Sequence, residues 1–169
     1  MNIELTTDIS GVPDHFFKYA ILVARYQGQF VFVRHRERQT WELPAGHREP
    51  DETIQLTAER ELREETGAVD FDLQPVFVFR VPDYDAHGAR IDVLASLVCI
   101  AEIRTLGPLD PAFEVAEILL ASDLPEPLTY PEIQPVLFRR VRDWLAGQTV
   151  QEQAEKPALS TPGDMGDPS

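Results

Sequence analysis

In the stretch GHREPDETIQLTAERELREETGA, Gly46 to Ala68, seven carboxylates face three arginines within 23 residues. Glu61, Glu64 and Glu65 stand at i, i+3 and i+4, so on a helix they project from one face. Like charges at that spacing destabilise a helix by about 0.2–0.5 kcal/mol per pair unless a positive group lies between them. A hard divalent cation held by oxygen ligands is such a group, and magnesium typically takes a few carboxylates while keeping waters for substrate phosphates. Arg60, four residues before Glu64, is placed to orient that carboxylate without taking the metal position. The chemistry on offer is charge neutralisation and alignment at a phosphate. Its competitor is an acidic surface helix laced with ion pairs.

For these carboxylates to converge, the stretch must be a helix pinned to a sheet. Thr53 to Thr66 supplies Ile54, Ala58 and Leu62 at four-residue spacing for an apolar stripe, and Gly67 is the expected C-cap. The preceding TWELPAGHREPDE, with Pro44, Gly46 and Pro50, is expected to be a loop. FKYAILVARY (Phe17 to Tyr26) and QFVFVRHR (Gln29 to Arg36) are rich in β-branched and aromatic residues and are separated by Gln27-Gly28, which predicts a hairpin. PVFVFRV (Pro75 to Val81) and ARIDVLASLVCIAEI (Ala89 to Ile103) predict a second antiparallel pair, the latter so continuously apolar that it belongs inside the sheet. EVAEILLASDLP predicts a short strand, and YPEIQPVLFRRVRDWLAG a final helix with Pro131 and Pro135 early and Val136, Leu137 or Phe138, Val141 and Leu145 along one side. Strands interspersed with two main helices imply an α/β or α+β domain.

A chain of 169 residues fits one domain, expected over 1–147. From Gln148 the chain loses aromatic residues and gains Pro, Gly, Ser and Gln, which predicts a disordered tail over 148–169. The one cysteine, Cys99, lies in an apolar run, so a buried core thiol and a reducing, cytoplasmic setting are expected. No segment approaches the ~20 apolar residues of a membrane span. The 29 acidic against 15 basic residues and a formal charge of -14 argue against an extended surface for a nucleic acid polymer. They do not argue against nucleotides, since a divalent cation inverts the sign of a local acidic patch.

Gly46, five residues, Glu52, seven residues, Arg60-Glu61-Leu62, one residue, Glu64-Glu65, one residue and Gly67-Ala68 together resemble the Nudix box at every fixed position. A chance match is on the order of one in a billion per starting position at average residue frequencies. The resemblance implies an α/β/α sandwich with a mixed sheet and a loop–helix–loop box, and hydrolysis of a nucleoside diphosphate linked to another group. It further implies Glu64 and Glu65 as principal metal ligands, Glu61 as a further ligand or the group that handles the attacking water, and the carbonyl of Ala45 as a backbone ligand. Glu52 would support the box loop through Arg60 or a neighbouring backbone. The cofactor implied is Mg²⁺, with Mn²⁺ as a substitute, acting by positioning and charge neutralisation.

Outside the box, Arg34 or Arg36 is a candidate phosphate contact at the end of its strand, with a solvated strand end as the other reading. His35 and His47 are expected as surface histidines and Trp41 as a core aromatic that orients the loop. Family members often add an acidic residue from a distant loop, for which Glu114 and Glu117 are the candidates. Tyr84, in a loop where related enzymes select substrate, and Tyr130, at the last helix, are candidate substrate contacts. Resemblance to small bacterial members, which lack the extra N-terminal strands of ADP-ribose enzymes, points to a nucleoside triphosphate pyrophosphatase, 8-oxo-dGTP among its substrates, acting as monomer or homodimer. ADP-ribose or a dinucleoside polyphosphate is the alternative substrate, since Pro82 and Tyr84 fall near residues characteristic of those branches. A non-catalytic nucleotide-binding module is the alternative of another class, and the intact set Arg60, Glu61, Glu64 and Glu65 argues against it.

Overall fold

A computed structural model describes residues 3–91 and 95–155, with Asp83 and 148–155 as backbone only. In chain order the elements are β1 (Glu4–Thr6), β2 (Phe17–Tyr26), β3 (Gln29–His35), β4 (Ala45–His47), α1 (Ile54–Thr66), β5 (Ala68–Arg80), β6 (Asp83–Tyr84), β7 (Arg90–Ile91), β8 (Ala95–Leu106), β9 (Val115–Ala121) and α2 (Gln134–Glu155). The main sheet runs β1-β5-β8-β2-β3-β9, with β4 also paired to β2, while β6 and β7 form a separate ribbon. The β2–β8 pair is parallel and its neighbours are antiparallel, so the sheet is mixed.

Period-two alternation in the central strands divides the core between the two helices. From β2, Leu22 and Ala24 pack with Ile54, Ala58 and Leu62 of α1, whereas Val23 packs with Leu137, Phe138 and Val141 of α2. In β8, Leu97, Cys99 and Ala101 face α1, and Val98 and Ile100 face α2. Both faces are covered, which is why β8 is apolar from Leu97 to Ala101. The result is an α/β/α sandwich.

Local chemistry sets the boundaries that matter for the site. The Gln27-Gly28 turn has φ 51° and 79° at its two residues, the pair of positive values that matches the twist of a tight hairpin. At the start of α1, the Thr53 hydroxyl accepts from the Leu56 N–H at 3.2 Å and Asp14 Oδ1 accepts from the Ile54 N–H at 2.9 Å, so two otherwise orphan donors are satisfied. Gly67 closes the helix at φ 78°, its N–H donating to Arg63 O.

Several boundaries depart from the sequence expectation. The second long strand begins at Ala68 rather than Pro75, because a register shift between Pro75 and Phe77 accommodates the proline, which has no N–H for the ladder. Ala45 to His47, expected as loop, pairs with Tyr19 to Ile21 as β4. The final helix does not end at Gly147 but continues to Glu155; residues 156–169 of the expected tail lie outside the described residues. No helix among the described residues is long and apolar enough to cross a membrane.

A side chain at Gly67 would meet two obstacles at once: the left-handed φ, and the carbonyl oxygen of Gly107, 2.5 Å from an added Cβ. Gly67→Ala is therefore expected to destabilise the domain by about 1–3 kcal/mol, measured by urea unfolding. A change below 0.5 kcal/mol would show that this corner relaxes freely.

Candidate active site

The antiparallel pairing of β4 with β2 holds the loop backbone over the outer face of α1. The approach is close enough to dictate residue type, for a Cβ at Gly46 would lie 1.9 Å from the Glu61 carboxyl carbon. With any other residue the Glu61 side chain would have to move from this position. The Ala45 N–H donates to Glu65 Oε2 at 3.0 Å, tying the same loop to the next acidic turn of the helix.

Arg60 is the hub of the cluster. Its Nε and Nη2 grip Glu52 through Oε2 at 2.7 Å and Oε1 at 2.9 Å, a two-pronged charge-assisted pair. Nη2 also donates to the His47 carbonyl at 3.0 Å, and Nη1 donates to Glu61 Oε1 at 2.8 Å and Glu64 Oε2 at 3.3 Å. Arg60 was expected to stand clear of the space between the acidic residues. Instead its Nη1 lies between Glu61 and Glu64, because the free carboxylates need a cation and the guanidinium can reach both.

Two carboxylates beside one arginine end up at opposite extremes. Glu52 is held down to about 2, chiefly by Arg60, with help from the Glu49 N–H and the Thr57 hydroxyl. Glu61 is pushed up to about 7, chiefly by burial and then by the charge of Glu65, against the opposing pull of Arg60. Glu65 is also raised by burial, opposed by His35 and the Ala45 N–H. Neighbouring environments thus separate a permanently ionised anchor from carboxyls that favour a proton or a stronger cation.

Among the described residues no group of three or more His, Cys, Asp or Glu side chains converges tightly enough to hold an ion, since Arg60 takes the central position. The donor set nevertheless fits one. Its side-chain ligands are hard carboxylate oxygens, Gly46 leaves a cradle that a Cβ would fill, and the guanidinium marks where positive charge is demanded. Glu61, Glu64, Glu65 and the backbone of Ala45 are the residues that would hold a divalent cation.

The cluster lines a cleft of about 1020 Å³. Tyr130 and Glu114 line it too, but Arg34, Arg36, Tyr84 and Glu117 do not. Arg34 donates to Glu117 Oε1 at 2.7 Å and to the Arg38 carbonyl at 3.0 Å, which commits both Arg34 and Glu117 to the β3–β9 seam. Arg36 is spent on the carbonyls of Pro111 and Phe113. The side chain of Tyr84 is exposed on the β6–β7 ribbon. Of the two distal acids, then, only Glu114 reaches the cleft, 3.7 Å from Nδ1 of His35.

His35, expected at the surface, is only 20% exposed and stands among carboxylates, with Nε2 3.4 Å from Glu42 and 3.6 Å from Glu65. Its pKa is raised, first by Glu65. Glu42, buried and also bound by Arg38 at 3.0 Å, was not singled out in the sequence. The available signal was a carboxylate wedged between Trp41 and Leu43, where only a paired charge is tolerated. Arg38, with its guanidinium 5.9 Å from the Tyr130 ring centre, is the basic residue of this strand end that lines the cleft. Trp41 is partly buried against the α2-side core, and its backbone bonds Pro127 and Thr129.

The family model for the NUDIX domain matches residues 16–140, most of the chain and all of the box. The chain belongs to the Nudix family. A MutT-like protein of Streptomyces ambofaciens is 42% identical over 55 residues, a match that spans 32% of this chain and about a third (36%) of that relative. Among solved structures, the Bacillus subtilis pyrophosphohydrolase BsRppH is similar with a TM-score of 0.66 and 23% identity, over 83% of this chain and 90% of that one. A Caenorhabditis elegans Ap4A hydrolase (C. elegans, binary complex) is similar with a TM-score of 0.55 and 18% identity, over 77% and 99%. At such identities the two structures speak for the fold: a Nudix sandwich with the box helix against the sheet.

The raised carboxyl of Glu61 fixes the sign of a pH effect in this Nudix domain. A folded-state value near 7 against 4.5 in the unfolded chain gives stability that is full below about 4.5 and lost as pH rises through 7. His35, raised above 6.5, loses its contribution in the same direction at higher pH. Metal-free protein should therefore lose melting temperature from about pH 5 to pH 8, and Glu61→Gln should flatten the lower half of that decline. Magnesium, which binds the ionised form, should raise the melting temperature more at the upper end than at the lower. Calorimetry across pH decides this, and an unchanged slope in Glu61→Gln would remove Glu61 from the account.

Proposed function

We propose that this chain hydrolyses, with Mg²⁺, a nucleoside diphosphate linked to another group, and that its substrate is a nucleoside triphosphate, 8-oxo-dGTP among the candidates, cut to monophosphate and pyrophosphate. The observation that carries the reading is the Arg60 guanidinium shared between Glu61 and Glu64, with Glu65 tied to the Ala45 N–H beside them, at one wall of a nucleotide-sized cleft. A cluster that recruits an arginine to balance its charge is suited to a divalent cation with a diphosphate. Manganese, with the same preference for oxygen, is the expected substitute.

In this reading a bound divalent cation neutralises phosphate charge and aligns the diphosphate. The chain's own groups do the rest. Glu52 grips Nε and Nη2 of Arg60, which leaves Nη1, shared between Glu61 and Glu64, as the arm that can turn to a phosphate oxygen. Glu61, in the cleft wall beside Glu64 and Glu65, is the candidate to take the proton of the water that attacks phosphorus as the anhydride P–O bond breaks and pyrophosphate leaves with the electron pair. Arg38 lines the cleft and would be the side chain that meets the outer phosphate.

The test incubates the purified protein and its Glu64→Gln variant with Mg²⁺ and the ordinary triphosphates, 8-oxo-dGTP, ADP-ribose and a diadenosine polyphosphate. Chromatography should show monophosphate and pyrophosphate from a triphosphate, slowed at least ~100-fold in the variant, because a ligand to the charge-stabilising ion is lost. Cleavage of ADP-ribose to AMP and ribose phosphate would overturn the substrate class. Full activity of Glu64→Gln would overturn the site.

A further inference from the structure

The loop of residues 107–114, between β8 and β9, brings Ala112, Phe113 and Glu114 to the rim of the cleft. Its own shape is tightly set. The Gly107 N–H donates to the Gly67 carbonyl at 2.7 Å, at the C-cap of the box helix. Further on, a turn closes on Asp110, whose Oδ1 accepts from the Ala112 N–H at 2.8 Å and whose carbonyl accepts from the Phe113 N–H at 3.1 Å. Pro108 and Pro111 restrict two further φ angles.

Arg36 fastens this loop to the sheet. Its Nη2 donates to the Pro111 carbonyl at 3.0 Å and to the Phe113 carbonyl at 3.1 Å, and its backbone N–H donates to the Glu114 carbonyl at 2.8 Å. The β3–β9 register brings them together: Arg34 pairs with Glu117 and His35 with Val115, so Ala116 is skipped and the bulge sets Arg36 opposite Glu114. A guanidinium bound to carbonyls rather than to carboxylates contributes geometry more than charge.

The Glu114 side chain is 87% exposed and so takes its place from its backbone rather than from packing, with Oε2 3.7 Å from Nδ1 of His35 in the cleft wall. Whatever sets that backbone sets the carboxylate. We propose that Arg36, which does not itself line the cleft, is a positioning residue for the reaction, holding residues 111–114 so that the Glu114 carboxylate meets the substrate. This inference rests on the hydrolytic reading above and adds to it a residue that acts through a loop. Such placement matters, since a displacement of about 1 Å can cost on the order of a hundredfold in rate.

The test is a double-mutant cycle of Arg36→Met and Glu114→Gln, run with Mg²⁺ on whichever compound of the panel above the wild-type chain cleaves fastest. Each single variant should lower kcat/KM by about tenfold or more, and Arg36→Met should cost less than about threefold further in the Glu114→Gln background. Arg36→Lys, which keeps donors for the two carbonyls, should recover most of the rate. In the metal-free chain, hydrogen exchange should rise over residues 110–114 in Arg36→Met and stay unchanged across α1. Losses that multiply independently overturn the proposal, as does an unchanged rate in either single variant, an Arg36→Lys no faster than Arg36→Met, or unchanged exchange in the loop. Should Arg36→Met not fold, Arg36→Gln takes its place in the cycle under the same criteria. A wild-type chain that cleaves no compound of the panel overturns hydrolysis and this proposal together, whereas cleavage with an additive cycle overturns this proposal alone.

Discussion

Acidic side chains gathered at one edge of a sheet cannot share a half-buried site without a cation, and Arg60 meets that demand from within the chain. One guanidinium contacts Glu52, Glu61 and Glu64 and the His47 carbonyl. Its grip is uneven, and the unevenness matters. Glu52 takes two prongs and receives further donors from Glu49 and Thr57, whereas Glu61 takes one and faces Glu65 across buried ground. The arginine is anchored at the loop end and leaves unsatisfied charge at the helix end. That residue of charge is what a divalent ion and a diphosphate would satisfy together.

The arrangement depends on distances that the sheet enforces. Strand β2 is the shared member: it pairs with β8 and β3 in the sheet and with β4 in the loop, so the loop carrying Ala45 and Gly46 is fixed to a central strand of the sheet. Helix α1 is pressed on the same strand by Ala58 and Leu62, both fully buried. Loop and helix therefore have little freedom to separate, and Gly46 is the consequence, since no Cβ fits between them and Glu61. The Asp14 side chain that receives the Ile54 N–H adds a tie from outside the box to the start of the same helix.

Where the sequence carried a local pattern, the fold was legible. The Gln27-Gly28 hairpin, the four-residue stripe of α1 and its glycine stop are each set by a short-range rule. The box spacing carried the rest of the family assignment. What was not legible depended on partners distant in sequence. Whether Ala45 to His47 is strand or loop is decided by Tyr19 to Ile21, and the β5 start is decided by a bulge that hides Pro75. In the site, basic residues alternate along one strand end, and nothing local says which reaches the cleft. Pairing with β9 sets it: Glu117 captures Arg34 and the loop carbonyls capture Arg36, which leaves Arg38 for the cleft. Glu42 was invisible for a related reason, since a buried polar residue differs from a surface one only in what surrounds it.

The two helices, on opposite faces of one sheet, contribute to one cleft, and this division bears on how such a protein changes its ligand without losing its chemistry. α1 and the loop before it supply the charged wall, in which Glu52, Arg60 and Glu61 are bonded to one another and Gly46 lies against Glu61. The α2 side is ordinary core packing interrupted by Gln134 and Ser96, and its residues answer mainly to shape. A chain of contacts joins the two: Tyr130 lies against Arg38, Arg38 binds Glu42, and His35 stands between Glu42 and Glu65. A ligand group that draws Arg38 away from Glu42 alters the charge beside His35, and His35 bears directly on Glu65. The α2 end of the cleft and the charge at the box are therefore joined through three ionisable side chains, while the central strands of the sheet are packed on both faces.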